Sequence, residues 1–298
     1  MLSLRVPATT ANLGPGMDAF GMALNLYNTF TISESDKTTI TVKGFAEKLP
    51  ATTNNFFYRL LVDFYKELNM AVPNFEIIME NNIPPGKGLG SSASVIVGAL
   101  VAANTLLDRP YGFDTILRMA AKIEGHPDNV APALFGGMVI AVDSSQDIIT
   151  HHFDPPRGLK LVAVIPDFEL PTRRARQILP ENVPLKDAIY NVGRAALVTA
   201  ALKDGDYKLL SKVMEDKLHQ QYRTVFIPGM EDVFMAAKEE GAFGAVLSGA
   251  GPTLIAFADG REEEIGLAMQ SAFLKHNVKA QIQHLIPALT GAEILDIG

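Results

Sequence analysis

The chain has no cysteine among its 298 residues, so it can form neither a disulfide nor a thiolate metal site. That fits a reducing compartment. It also lacks a basic excess: 26 Lys and Arg against 33 Asp and Glu give a formal charge of −7. A nucleic-acid binder would show the opposite balance, so no nucleic-acid partner is expected. No apolar run approaches the roughly 20 residues that span a bilayer. Arg5 and Pro7 interrupt the only short apolar stretch at the N-terminus, so no signal peptide is expected. The expectation is a soluble cytoplasmic protein with no membrane partner. Low-complexity tracts and internal repeats are missing as well. What remains is an ordinary globular composition, 48% hydrophobic and 20% charged, long enough for one large domain or two modest ones.

The most informative segment is Pro84-Pro85-Gly86-Lys87-Gly88-Leu89-Gly90-Ser91-Ser92-Ala93-Ser94. It follows a strand pattern, Phe75 to Met79, and precedes an apolar run from Val95 to Val101. The order reads as strand, tight loop, helix. Glycines let the backbone turn through φ > 0 and come close to a ligand. A helix start offers free N–H groups and the positive end of the helix dipole, which suit a phosphate. The segment is not a Walker loop, because Lys87 lies among the glycines and Gly90 precedes Ser91. It misses the dinucleotide fingerprint, since the third glycine would fall at Ser91. No H-R-D or D-F-G motif supports a protein kinase, and G-x-S-x-G is missed too. A plain Gly-rich turn capped by serine is the bland alternative.

The segment matches P-x-x-x-G-L-G-S-S-A and in this resembles the GHMP kinases, the family of galactokinase, homoserine kinase, mevalonate kinase and phosphomevalonate kinase. Two further blocks sit where that family carries its other motifs: Val6 to Asp18, with Asn12-Leu13-Gly14-Pro15-Gly16, and Leu247 to Thr253, with Gly249-Ala250-Gly251-Pro252. The first block, together with Glu124-Gly125-His126-Pro127-Asp128-Asn129, looks like the branch that phosphorylates homoserine. The resemblance runs from about residue 4 to residue 258. It implies ATP and Mg2+ as cofactors and L-homoserine as acceptor. The alternatives are another small-molecule kinase of the family, such as a mevalonate-type kinase, and a non-catalytic RNA-binding module sharing the family's βαβ unit.

Hydrophobic periodicity predicts strands over 2–6, 20–32 and 38–42 and a helix opening after Asn54 and Asn55. Helices follow over 91–107 and 113–123 and from near Asp128 to Gly136-Gly137, then a strand over 138–142. His151 to Gly158, with Asp154-Pro155-Pro156, reads as the domain boundary. Beyond it come a strand over 159–165, a short helix over 172–179, helices over 184–203, 206–218 and 230–240, a strand over 246–257 broken by a turn, a helix over 262–275 and a strand over 279–284. The mixture lacks strict βαβ alternation, so the fold class is α+β. The resemblance implies a two-lobed GHMP kinase fold. An S5-like βαβ domain would cover 1–153 and an α/β sandwich domain 154–298, with the active site between them. A homodimer stays open.

Phosphoryl transfer needs positioning, a metal to offset charge, and donors aimed at phosphate oxygens. Ser92 at the loop–helix junction and Glu124 offer a hydroxyl and a carboxylate suited to Mg2+. The resemblance implies the roles of the rest. The segment from Pro84 to Ser94 would cradle the nucleotide, and Asn55 would meet the adenine or cap its helix. Asn12, Asp18, His126, Asp128, Asn129 and Gly249 would surround the acceptor. Thr172-Arg173-Arg174-Ala175-Arg176 and the run from Asp216 to Arg223 match two arginine blocks, in which Arg176 and Arg223 bind the acceptor carboxylate and Thr172 sits near the transferred phosphate. A planar guanidinium matches a carboxylate bidentately. Arg173 and Arg174 read as solvated, and His151 and His152 as structural. Asp128 is either a general base or a group that positions the hydroxyl. Ala8-Thr9-Thr10 stands where mevalonate kinases carry a lysine that pairs with the catalytic aspartate.

Overall fold

The computed structural model describes residues 1–45, 50–144 and 147–297. Its first sheet is built on two long strands, β1 (Leu2–Ala11) and β2 (Phe20–Glu34), paired antiparallel along their length. On its other edge β2 serves two further partners. Residues Thr29–Glu34 pair with β4 (Phe75–Asn81), while Phe20–Met22 pair with β5 (Met138–Asp143). β3 (Thr39–Gly44) runs parallel to β4 at one edge. β6 (Ile148–Phe153) pairs with β5.

The expected boundary at His151 to Gly158 therefore starts too early. His151, His152 and Phe153 are strand, in register with Ile140, Val139 and Met138. Residues 154–159, with the two prolines, make the link to the next sheet. His152 stacks on Phe135, and both histidines are exposed.

Among the described residues four helices cover the first sheet. α1 (Phe56–Glu67) is amphipathic and is capped by Asn55, whose Oδ1 accepts from the Tyr58 amide at 3.4 Å. α2 (Ser91–Leu106) is buried from Ala93 to Asn104, as an all-round apolar helix must be. α3 (Phe113–Glu124) stops at Gly125, whose φ of +93° suits a left-handed C-cap. α4 (Pro127–Phe135) begins one residue earlier than expected. Pro127 fits the first helical position, His126 holds the N-cap, and Asp128 lies in the first turn.

The second sheet is fully antiparallel in the order β10 (Ala280–Leu285), β7 (Lys160–Pro166), β9 (Leu254–Ala258), β8 (Gly244–Leu247). The stretch expected as one broken strand over 246–257 is thus two strands joined by the 248–253 turn. α9 (Met230–Glu239) and α10 (Glu262–Lys275) pack one face of this sheet. α6 (Leu185–Asp204) and α7 (Tyr207–Val213) pack the other through Val198, Leu202, Leu210 and Val213. The helix expected over 206–218 ends at Val213, and the chain resumes as α8 (Gln220–Arg223) after α5 (Thr172–Gln177) has already bridged β7 to α6. The α6/α7 core also takes in Leu13, Met22, Leu24 and Leu89 from the first half, so the two sheets share buried surface. A last strand, β11 (Glu293–Ile297), returns to pair with β1. Neither β11 nor α8 is foreseen from periodicity.

Candidate active site

The loop between β4 and α2 lies in the cleft between the two sheets. Gly86, Gly88 and Gly90 have φ of +67°, +79° and +71°. Their need for glycine is met by protein backbone more than by ligand space. A Cβ at Gly90 would stand 2.0 Å from Thr9 Oγ1, and one at Gly88 2.3 Å from the Ser248 carbonyl oxygen. Gly90, which has no side chain, is the N-cap of α2, so the N-cap residue makes no side-chain capping bond to that helix. The first-turn amides of Ser91, Ser92 and Ala93 lack intrahelical acceptors by construction, which leaves an anion-binding terminus.

Pro84, Gly86, Gly88, Gly90, Ser91 and Ser92 line the cleft. The rest of the segment does not. Leu89 is core, Ala93 is buried, and Ser94 is buried with its hydroxyl donating to Ser91 O at 2.9 Å and accepting from Asn28 at 2.8 Å. Pro85 and Lys87 face a separate cavity of about 450 Å³. Lys87 Nζ donates to the carbonyls of Pro166 and Phe168, each at 2.8 Å. Burial lowers its pKa, with Glu169 and Asp167 pulling the other way. Lys87 is a strut to the second half and its ammonium is turned away from the cleft. Asn55 is also outside it, its side chain taken by Tyr58 N and the Pro50 carbonyl.

Ser92 Oγ donates to Glu124 Oε2 at 2.8 Å, so the start of α2 and the end of α3 bring the two expected metal ligands together. A hydroxyl and a carboxylate at the edge of an anion-binding terminus are hard oxygen donors of the kind Mg2+ takes. Among the described residues no cluster of three or more His, Asp or Glu could hold a metal by itself.

A hydrogen-bonded row crosses the floor. Thr9 Oγ1 donates to Asn129 Oδ1 at 2.8 Å, and Asn129 Nδ2 donates to Asp128 Oδ1 at 3.2 Å. His126 Nδ1 reaches the same oxygen in a short contact. Burial pushes the His126 pKa down, but the hydrogen bond and charge of Asp128 outweigh it and hold it above the ordinary value. Asp128 Oδ2 has no protein partner among the described residues. Asp128 is 2% exposed and lines the cleft, so Oδ2 is the acceptor left for a ligand.

Asn12, at φ +70°, uses both ends of its amide on the protein: Nδ2 donates to Gly249 O and Oδ1 accepts from Asp18 N, each at 2.9 Å. Arg176 and Asp18 form a bidentate pair at 3.0 and 2.7 Å. The fork expected for a ligand carboxylate is therefore filled by Asp18 here. Burial alone would raise the Asp18 carboxyl, yet the Arg176 hydrogen bond and charge bring it below its usual value. The same hydrogen bond raises Arg176. Arg223 is 2% exposed, and burial with the charge of Arg176 lowers it to about 10. Thr172 opens α5 at the cleft wall beside Leu170, which the sequence did not single out and whose amide donates to Gly86 O at 3.2 Å. Arg173 and Arg174 are exposed, as expected, with Arg174 over the Phe226 ring.

A glycine loop at a bare helix terminus, shared between two α+β halves, defines the class. The chain belongs to the GHMP kinase family, whose N-terminal domain matches residues 55–137 and whose C-terminal domain matches 197–275. Within that family its relatives are specific. A homoserine kinase of Moorella thermoacetica is 44% identical over 293 residues, covering 98% of this chain and 99% of the relative. The crystal structure of homoserine kinase from Cytophaga hutchinsonii superposes with a TM-score of 0.88 at 30% identity, over 99% of this chain and 97% of that one. A mevalonate kinase structure, at TM-score 0.70 and 16% identity over 97% and 99% of the two chains, shares the fold. No helix among the described residues is long and apolar enough to cross a membrane.

Proposed function

We infer that the chain transfers the γ-phosphoryl group of ATP to the side-chain hydroxyl of L-homoserine. The products are O-phospho-L-homoserine, a threonine precursor, and ADP. The hydroxyl oxygen bonds to the γ-phosphorus, the bond to the β,γ-bridging oxygen breaks, and the hydroxyl proton is released. Full-length similarity to homoserine kinases carries the reading. The charges at the cleft support it: Arg176 and Arg223 line it and suit the carboxylate of an amino acid once Arg176 exchanges its bond to Asp18 for the ligand, and Asp18, which is held by Arg176 and does not itself line the cleft, suits the ammonium that mevalonate lacks.

In this reading the first-turn amides of α2 and the backbone of Gly86 to Gly90 hold the phosphates. Ser92 and Glu124 would hold Mg2+, which when bound offsets phosphate charge. Asp128 Oδ2 accepts the acceptor's hydroxyl, and Thr172 stands near the transferred group. Asn129 and His126 fix the Asp128 carboxylate, and Asn12 and Gly249 fix the turn carrying Asp18. The division into lobes at 153/154 belongs to the same reading, with β11 returned to the first lobe, as does a cytoplasmic location. The test is an ATP-consumption screen of L-homoserine against mevalonate, galactose and L-serine. ADP release that depends on homoserine is expected; release with mevalonate alone would overturn the assignment.

A further inference from the structure

The structure assigns His219 as the positioning residue that aims Arg223, through an imidazole tautomer set by the carbonyl of Gly14. His219 is fully buried at the start of α8 and does not line the cleft. Its Nε2 lies 2.8 Å from Gly14 O. A carbonyl only accepts, so Nε2 carries the hydrogen. Its Nδ1 lies 3.1 Å from Arg223 Nη1. A guanidinium only donates, so Nδ1 is the acceptor. Both contacts are satisfied by one tautomer of the neutral ring and by no other state. A second proton would set two donors head to head and place a cation beside a buried guanidinium. Burial lowers the His219 pKa in the same sense. Asp216 does not compete, since its Oδ2 is 3.7 Å from Nε2 and accepts the amides of His219 and Gln220 at 2.9 and 2.7 Å.

The consequence falls on Arg223. Its Nε donates to Ala175 O at 3.2 Å, and Nη1 divides its two hydrogens between His219 and Gly249 O at 3.1 Å. Three contacts fix the plane of the guanidinium and leave Nη2 as the nitrogen without a partner among the described residues. Arg223 lines the cleft, so it meets a ligand through one nitrogen and does not offer the bidentate fork expected of it. Gly14 belongs to the turn between Asn12 and Asp18. One imidazole therefore registers the Asp18 turn against Arg223, the two groups that would read opposite ends of an amino acid.

This inference rests on the homoserine reading, and the two fail differently. If the wild-type enzyme releases no ADP with homoserine, the activity reading falls while the tautomer can still be measured. Nitrogen-15 NMR of the imidazoles in the wild-type protein should find His219 protonated at Nε2 alone; an Nδ1–H or doubly protonated ring would overturn the inference. His219→Leu should raise the homoserine KM about ten-fold, with kcat and the ATP KM within about three-fold, the loss of one hydrogen bond to a charged donor. His219→Asn keeps an acceptor near Nδ1 and should recover most of that loss, whereas His219→Gln, which reaches toward Gly14, should not. In an Arg223→Ala background His219→Leu should add nothing, because the pair acts as a unit. An unchanged homoserine KM in His219→Leu, equal behaviour of the Asn and Gln variants, or additive effects would each overturn the assignment.

Discussion

Asp128→Asn separates positioning from general-base catalysis, and the geometry favours positioning. Oδ1 of Asp128 already accepts from His126 and Asn129, while Oδ2 has no partner among the described residues and Asp128 lines the cleft. In the asparagine variant the amide oxygen can keep the two protein donors, which leaves an NH2 group facing the acceptor's hydroxyl. The hydroxyl then loses a charged acceptor and must reorient to accept. The difference between a charge-assisted and a neutral hydrogen bond is about 1–1.5 kcal/mol, so the homoserine KM should rise about five- to ten-fold and kcat should stay within about ten-fold. Removal of a true base would instead cost kcat roughly 10²–10⁴ at nearly constant KM. Steady-state ADP release at saturating ATP and Mg2+ reads both constants. The row that holds Asp128 runs from Thr9 through Asn129 with His126 on the same oxygen and contains no lysine, so no ammonium partner completes a catalytic dyad. A hundred-fold fall in kcat with KM unmoved would refute this reasoning and restore Asp128 as the base.

Arg223→Ala should raise the homoserine KM about ten- to a hundred-fold and leave the ATP KM alone, since it removes a charge-assisted contact of roughly 1.5–3 kcal/mol; an unmoved homoserine KM would take Arg223 out of the site. Gly90→Ala should weaken ATP binding in calorimetry and also lower stability by roughly 2–4 kcal/mol, because its Cβ meets Thr9 at a positive φ; normal denaturant stability would contradict the packing argument. Ser92→Ala and Glu124→Gln should each raise the Mg2+ concentration for half-maximal rate several-fold, and an unshifted Mg2+ curve in both would remove the metal assignment. His126 has its pKa raised in the folded state, so the stability it draws from Asp128 is full below its unfolded value of about 6.5 and is lost as pH rises through the folded value. The Tm gap between wild type and Asp128→Asn should therefore be wider near about pH 5.5 than near about pH 8.5, and a gap independent of pH would refute the pairing.

Much of this site was legible in the sequence because its parts obey local rules. Gly-x-Gly-x-Gly before Ser-Ser can scarcely be anything but a tight turn into a helix, and Asn55 and Gly125 sit where caps belong. What escaped was set by long-range contact. The end of β6, His151 to Phe153, was read as linker because Asp154-Pro155-Pro156 dominates its neighbourhood and its edge position leaves alternate residues exposed, blurring the pattern. β11 is short and half solvated, and exists because β1 offers it an open edge. Lys87 belongs to the segment expected to cradle the nucleotide, yet its four-carbon stem lets the ammonium reach two carbonyls on the far side. His219 did leave a signal. It precedes Arg223 by four residues, the spacing that sets side chains side by side on a helical turn.

The glycine loop proposed to cradle the phosphates is thus also a joint between the halves. Thr9 N donates to Leu89 O at 3.1 Å from the first sheet, while Ser248 Oγ donates to Gly88 O at 2.6 Å, Thr253 N to Lys87 O at 3.2 Å and Leu170 N to Gly86 O at 3.2 Å from the second. Each of these uses a loop carbonyl. The carbonyls turn outward to the protein, which is what leaves the helix-terminal amides free for an anion. Positive φ at alternate residues produces that separation of donors from acceptors. The same contacts fix the loop relative to Arg176 and Arg223, whose α5 and α8 belong to the second half. In the proposed reading, a nucleotide on the loop and an amino acid at the arginines would be aligned by one hydrogen-bonded seam. Positioning of this kind can supply much of the barrier reduction in phosphoryl transfer without a dedicated base.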